Sequence, residues 1–170
     1  TSVSSVDGAF VAWLDLSAQA IFAARILQGT SLDPTGLRLS QLYAPAIRPG
    51  LVSGWNGTQA YVLWETQSGV AGRTVTPFGV VGVETLITDG NQPSVAWDGA
   101  AWVVADRSVT SSQVRVTRVT VGATLPPLEV APSMYDQQRP LVLSDGNTHS
   151  VVLWVELTGT PSTIGSLHAA

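Results

Sequence analysis

The sequence contains no cysteine and no lysine; its eight basic residues are all arginine, set against twelve acidic ones. Without cysteine there is no disulfide scaffold and no thiolate metal site. Charged side chains make up 12% of the chain, about half the share usual in a soluble domain. A net charge of −4 without a basic cluster argues against nucleic acid as a partner. Long apolar runs are missing too. The longest charge-free stretch, Pro49 to Trp64, is interrupted by Ser53, Gly54, Asn56 and Gly57, and a spanning helix needs roughly 20 apolar residues.

What is present is β-forming. The 170 residues are 45% hydrophobic and include six tryptophans, enough for a core and too much for disorder. There are 23 valines, and β-branched side chains fit a pleated surface better than a helix. Short runs such as Tyr61–Trp64, Trp102–Ala105 and Val151–Trp154 lie close to Gly, Asp or Asn, as buried strands do. Only Ala18–Leu27 could pass for a helix on propensity. The expected class is all-β.

An internal repeat organises the chain. Asp7-Gly8, Asn56-Gly57, Asp98-Gly99 and Asp145-Gly146 recur at intervals of 49, 42 and 47 residues. Each is followed by a small or aromatic residue near an acid: Trp13 with Asp15, Trp64 with Glu65, Ala105 with Asp106, Trp154 with Glu156. An arginine follows in the next apolar run (Arg25, Arg73, Arg118), and a proline precedes the turn (Pro49, Pro93, Pro140). Tight hairpins with positive φ at both central positions demand Asp-Gly or Asn-Gly. Each repeat therefore reads as strand, tight turn, strand with Trp, loop, strand with Arg, longer loop and short strand. In the third copy these are Ser94–Trp97, Ala101–Asp106, Gln113–Val121 and Leu128–Ala131. Ala18–Leu27 falls in the arginine-strand slot, so strand overrides helix there; the out-of-phase Asp89-Gly90 reads as a turn between repeats.

Four antiparallel strands per unit of this length is the dimension of a propeller blade. The expected architecture is one repeat domain over 1–170, with blades at 1–44, 45–92, 93–139 and 140–170. Three blades are complete and the fourth lacks its outer strand. That edge is a template for another strand, so a protein partner or a second copy is expected to complete it.

The pattern carried by Pro93–Asp106, by Tyr61–Glu65 with Arg73, and by Leu32-Asp33-Pro34-Thr35-Gly36 resembles the propeller-type repeats of large secreted bacterial proteins, abundant in myxobacteria. The resemblance implies a secreted or envelope-associated scaffold without a defined activity.

Residues that could carry chemistry are few. His149 stands beside Ser150, but neighbours in a strand point to opposite faces, so a surface histidine is expected there, as at His168. The repeated acids and arginines (Arg25, Arg73, Arg118) read as one cross-strand pair per blade, because a catalytic site is needed once. Asp33–Gly36 and Asp145–Thr148 each offer a single carboxylate, too few for calcium, so turn chemistry is expected at both. No metal or cofactor is implied. Trp13, Trp64 and Trp154 read as a repeated core layer, and Trp55 and Trp97 as partly exposed. A recognition surface is placed on the inter-blade loops: Tyr43 and Arg48; Asn91 and Gln92; Tyr135, Asp136, Gln137, Gln138 and Arg139. Tyr and Arg are enriched at binding hot spots. The expected function is a non-enzymatic scaffold for protein interaction. A lectin-like glycan-binding module, and the non-catalytic part of a larger propeller enzyme, are the alternatives.

Overall fold

The computed structural model describes residues 1–5, 8–42, 44–46, 50–120, 123–158 and 164–169. Asp7, Tyr43 and Arg48 lie outside the described residues. Every described element is a strand, and the strands form antiparallel sheets one after another along the chain. The first sheet runs β1 (Ser2–Ser5), β2 (Gly8–Asp15) and β3 (Ala20–Leu27). Its far edge consists of two short ladders, β4 (Thr30–Ser31) and β5 (Leu37–Arg38), both on β3. The second sheet is β6 (Val52–Trp55), β7 (Ala60–Thr66), β8 (Gly69–Val75) and β9 (Thr85–Thr88).

The third sheet repeats the plan of the first: β10 (Asn91–Trp97), β11 (Trp102–Arg107) and β12 (Val114–Thr120), with β13 (Ala123–Thr124) and β14 (Leu128–Glu129) both on β12. The fourth holds β15 (Asp136–Ser144), β16 (Ser150–Leu157) and β17 (Ile164–Ala169). Strand order, the turn at Asp89-Gly90 between sheets and the strand reading of Ala20–Leu27 follow the sequence pattern. In β3, Ile21 and Ala23 are buried opposite Leu14 and Ala12, so packing on a neighbouring strand outweighs the helix preference of alanine.

The chain packs as two compact units, Thr1–Leu86 and Ile87–Ala170. In the first unit, Phe10, Ala12, Ile21 and Ala23 of the first sheet meet Val62, Trp64, Ala71 and Val75 of the second. The Phe10 and Trp55 rings lie 5.5 Å apart within that core. In the second unit, Val103, Ala105 and Val114 pack with Val142, Val152 and Trp154. Each large apolar side chain buried in this way contributes roughly 1.5–3 kcal/mol.

The hairpins differ from the expected tight turns. Positive φ occurs at Gly57 (93°), Gly99 (95°) and Gly146 (73°), but not at Asn56, Asp98 or Asp145. The loops are longer: Trp55 pairs with Ala60, Trp97 with Trp102, and Ser144 with Ser150. The first residue closes the loop with its side chain. Asn56 Oδ1 accepts the Thr58 and Gln59 amides at 2.9 and 2.8 Å. Asp98 Oδ1 accepts those of Ala100 and Ala101 at 2.9 and 2.7 Å, and Asp145 Oδ1 takes the Asn147 amide at 2.7 Å. The Asp/Asn requirement is therefore an acceptor requirement, not one for positive φ.

The tryptophan layer is also incomplete. Trp64 and Trp154 are buried, whereas Trp13 is 37% exposed. In β2 the buried residues are Phe10 and Ala12, so Trp13 lies with Val11 on the other face, stacked on Phe22. Like Trp13, Trp154 precedes its acid by two positions, yet it shares the buried face of β16 with Val152, so the spacing to the acid does not decide the face. Trp55 and Trp97 are half-buried, as expected.

Candidate functional site

The segments that lead from one sheet to the next carry the sequence-designated recognition residues, but most of these sit in strands rather than loops. Asn91 and Gln92 open β10, and Asp136, Gln137, Gln138 and Arg139 open β15. The reason is a bulge at the same place in both strands. Gln92 and Arg139, each just before a proline, have φ of 54° and 53°, and the pairing register shifts there. Proline has no amide to give the ladder, so a bulge is where a strand tolerates it. The Arg139 amide donates to Gln92 Oε1 at 2.7 Å, joining the two bulges.

Three residues before each proline, Ala46, Gly90 and Gln137 face the acids Glu65, Asp106 and Glu156. The Ala46 amide donates to the Glu65 carbonyl at 2.9 Å, and Gln137 pairs with Glu156. A Cβ on Gly90 would fall 1.6 Å from Asp106 Oδ2. One backbone path thus carries three different side chains, and the surroundings differ accordingly.

In the second unit the path is locked by polar contacts. Gln137 is fully buried; its Oε1 accepts the Val114 amide at 2.8 Å and its Nε2 donates to the Ala131 carbonyl at 2.8 Å. It is a structural bolt, which corrects its assignment to a recognition loop. Arg107 donates to Asp136 Oδ1 through Nε and Nη2, at 3.0 and 2.9 Å, and to Ser112 Oγ at 2.9 Å. Gln113 accepts the Ser133 amide at 2.6 Å and donates to the Tyr135 carbonyl at 3.0 Å. Tyr135 remains exposed, and Gln138 donates to Asp136 Oδ2 at 2.6 Å.

The first unit has a cavity of about 560 Å³ at the corresponding place. The equivalence follows from pairing. Leu14 pairs with Ile21, whose carbonyl accepts the Leu39 amide and whose own amide donates to Ser40 Oγ. Arg107 pairs with Val114, whose carbonyl accepts the Val130 amide and whose amide donates to Gln137. Counting on from these anchors, Ala44, Pro45 and Ala46 stand where Tyr135, Asp136 and Gln137 stand. Leu14, Ala44, Pro45 and Ala46 line the cavity with Leu16 and with the amide side chains of Gln19 and Gln67. The chain leading to it is held by Glu84, which accepts the Gln41 and Leu42 amides at 2.7 Å each, and Pro45 is held by a bridge to Thr66.

The acids and arginines do not pair as the repeat suggested. Arg25 binds Asp33 through Nε and Nη2 at 2.8 and 2.7 Å and donates to the Pro77 carbonyl. Arg73 donates to the Leu39 carbonyl at 2.9 Å, and Arg118 pairs with Asp98 at 2.6 Å. Register explains this: Asp15 lies opposite Ala20, Glu65 opposite Val70 and Asp106 opposite Arg115. The marked arginines are three to five residues further along, roughly 10–17 Å away at strand rise. Arg115, which the repeat did not mark, is the cross-strand partner of Asp106 at 2.6 Å and also reaches Asp89 at 2.8 Å. Burial pushes the Asp106 carboxyl above the usual range, while Arg115 and Thr88 pull against it. His149 is exposed, with Nδ1 3.1 Å from Asp145.

No protein-family model and no curated protein matches the chain. A solved structure does. The chain is similar to an exo-β-1,3-galactanase from Phanerochaete chrysosporium, crystallised with β-1,3-galactotriose, with a TM-score of 0.48 and 9% identity. The match covers 98% of this chain and 48% of that one, so the chain spans about half the length of the enzyme.

The cavity had no signal in the sequence. Leu14, Ala44, Pro45 and Ala46 are unremarkable residues, and only a residue-by-residue alignment of the first and third repeats through their strand partners exposes the exchange of polar for apolar. Among the described residues that line it there is no acid, base or nucleophile.

Proposed function

We propose that the chain is a propeller-type, non-catalytic recognition scaffold, each sheet being a blade, in a secreted or envelope-associated bacterial protein. The observation that carries this reading is how the charges are employed. Asp15, Asp33, Glu84, Asp98, Asp106, Asp136 and Asp145 each hold a turn, an inter-sheet segment or an arginine of the framework. Within each unit, the turns after second strands and the inter-sheet segments then offer a face for a protein partner, and β17, the edge of the fourth sheet among the described residues, is open to a partner strand or a second copy.

Purified chain is expected to hydrolyse none of a panel of chromogenic glycosides, esters and phosphoesters. Turnover that co-purifies with the chain and disappears in Asp136→Asn would overturn the reading. Light scattering that finds only a 17.8 kDa monomer at high concentration removes the second copy. The glycan reading rests on the exposed Tyr135 beside the Arg107–Asp136 pair. A glycan array whose hits vanish in Tyr135→Ala would favour it over a protein partner.

A further inference from the structure

We infer that the cavity of the first unit receives a neutral, apolar side chain of a partner polypeptide. The inference rests on the recognition reading above and names what one part of that face would take. The fold fills this position in its own way in the second unit, with polypeptide side chains: Gln137 is inserted and buried, and Arg107 pairs with the neighbouring Asp136. The connection 108–113 also lies over the inter-sheet segment, Gln113 binding Ser133 and Tyr135.

In the first unit the side chains that fill this position are replaced. Leu14 replaces Arg107, Pro45 replaces Asp136 and Ala46 replaces Gln137, while the connections between the paired anchors, 15–20 and 108–113, are equal in length. The backbone amide that Gln137 satisfies in the second unit is already satisfied here, Ile21 N–H donating to Ser40 Oγ at 2.8 Å. The described lining therefore presents no charge, and the Ile21 amide behind it needs no acceptor. A charged group entering the cavity would lose hydration without gaining an ion pair from the described lining. An aromatic or branched aliphatic group would bury apolar surface, while the Gln19 and Gln67 amides at the lining suit the peptide groups on either side of it. The volume falls in the range of pockets that enclose small apolar ligands.

The test is amide chemical-shift mapping on the full chain with N-acetyl-tryptophanamide, a neutral aromatic side chain between two peptide groups. The expected result is saturable shifts confined to Leu14, Leu16, Gln19, Ala44, Ala46 and Gln67, and none with N-acetyl-lysinamide. Ala46→Gln, which installs the residue of the second unit, is expected to abolish them. Should that variant fail to fold, Leu16→Arg alters an exposed side chain and is expected to abolish them as well. Absence of saturable shifts, equal shifts with the lysine probe, persistence in both variants, or shifts centred on exposed Phe78 and Met134 would overturn the inference. None of these outcomes touches the scaffold reading, which turnover, light scattering and the glycan array test separately.

Discussion

Gly90 and Asp106 divide a space too small for a methyl group between them. A Cβ at position 90 would meet Asp106 Oδ2 at 1.6 Å and the Arg107 carbonyl at 2.7 Å, so Gly90→Ala is expected to cost about 2–3 kcal/mol by overpacking. Gly57→Ala is the control, since its Cβ meets nothing and only the φ of 93° opposes it; about 1 kcal/mol is expected. Urea unfolding of the full chain measures both. Asp106 itself titrates high because burial disfavours its charge, with Arg115 as the main opposing influence. In Arg115→Met that opposition is gone, so Asp106 should titrate higher still. The folded carboxyl then binds a proton at a pH where the unfolded one does not, and stability rises as pH falls through the folded pKa. The variant should thus lose about 3–5 kcal/mol near neutrality and recover part of it on mild acidification. A pH series of unfolding curves that shows no recovery contradicts this account.

At the scale of the strand, two arginines from the same repeat position do different things. Arg73 bonds a carbonyl, so Arg73→Ala should cost about 1 kcal/mol and hardly change with salt. Arg25 holds Asp33 with two short bonds, so Arg25→Ala should cost about 1.5–3 kcal/mol. The guanidinium depresses the Asp33 pKa. That share of the stability is therefore present above the ordinary carboxylate range and is lost as pH falls through the depressed value. Unfolding midpoints in low and high salt at two pH values separate the cases. These contrasts show what sequence conveys about a repeat. Turn dipeptides, strand order and the strand nature of Ala20–Leu27 were legible, because each depends on local chemistry or on alternation within one segment. Partners were not, because Arg118 and Arg115 stand three residues apart on one strand and only the register decides which of them meets Asp106. The bulges at Gln92 and Arg139 were half-legible: the prolines mark them, but the phase of the pairing does not follow from proline alone. The cavity was illegible, since it consists of side chains that are absent relative to another repeat.

For the molecule as a whole, each unit has a core cluster that includes one buried tryptophan, Trp64 in the first and Trp154 in the second. Trp64→Ala and Trp154→Ala should each cost about 3–5 kcal/mol, while Trp13→Ala, on the exposed face of β2, should cost much less; denaturant midpoints for the three variants settle the order. The broken far edges of the first and third sheets have a consequence at the same scale. β4 and β5, like β13 and β14, offer only two residues each to a passing strand. A flat continuous edge would recruit foreign strands and seed fibrils. Interrupting it gives these two edges colloidal protection in their geometry, where the chain's few charges give little by repulsion.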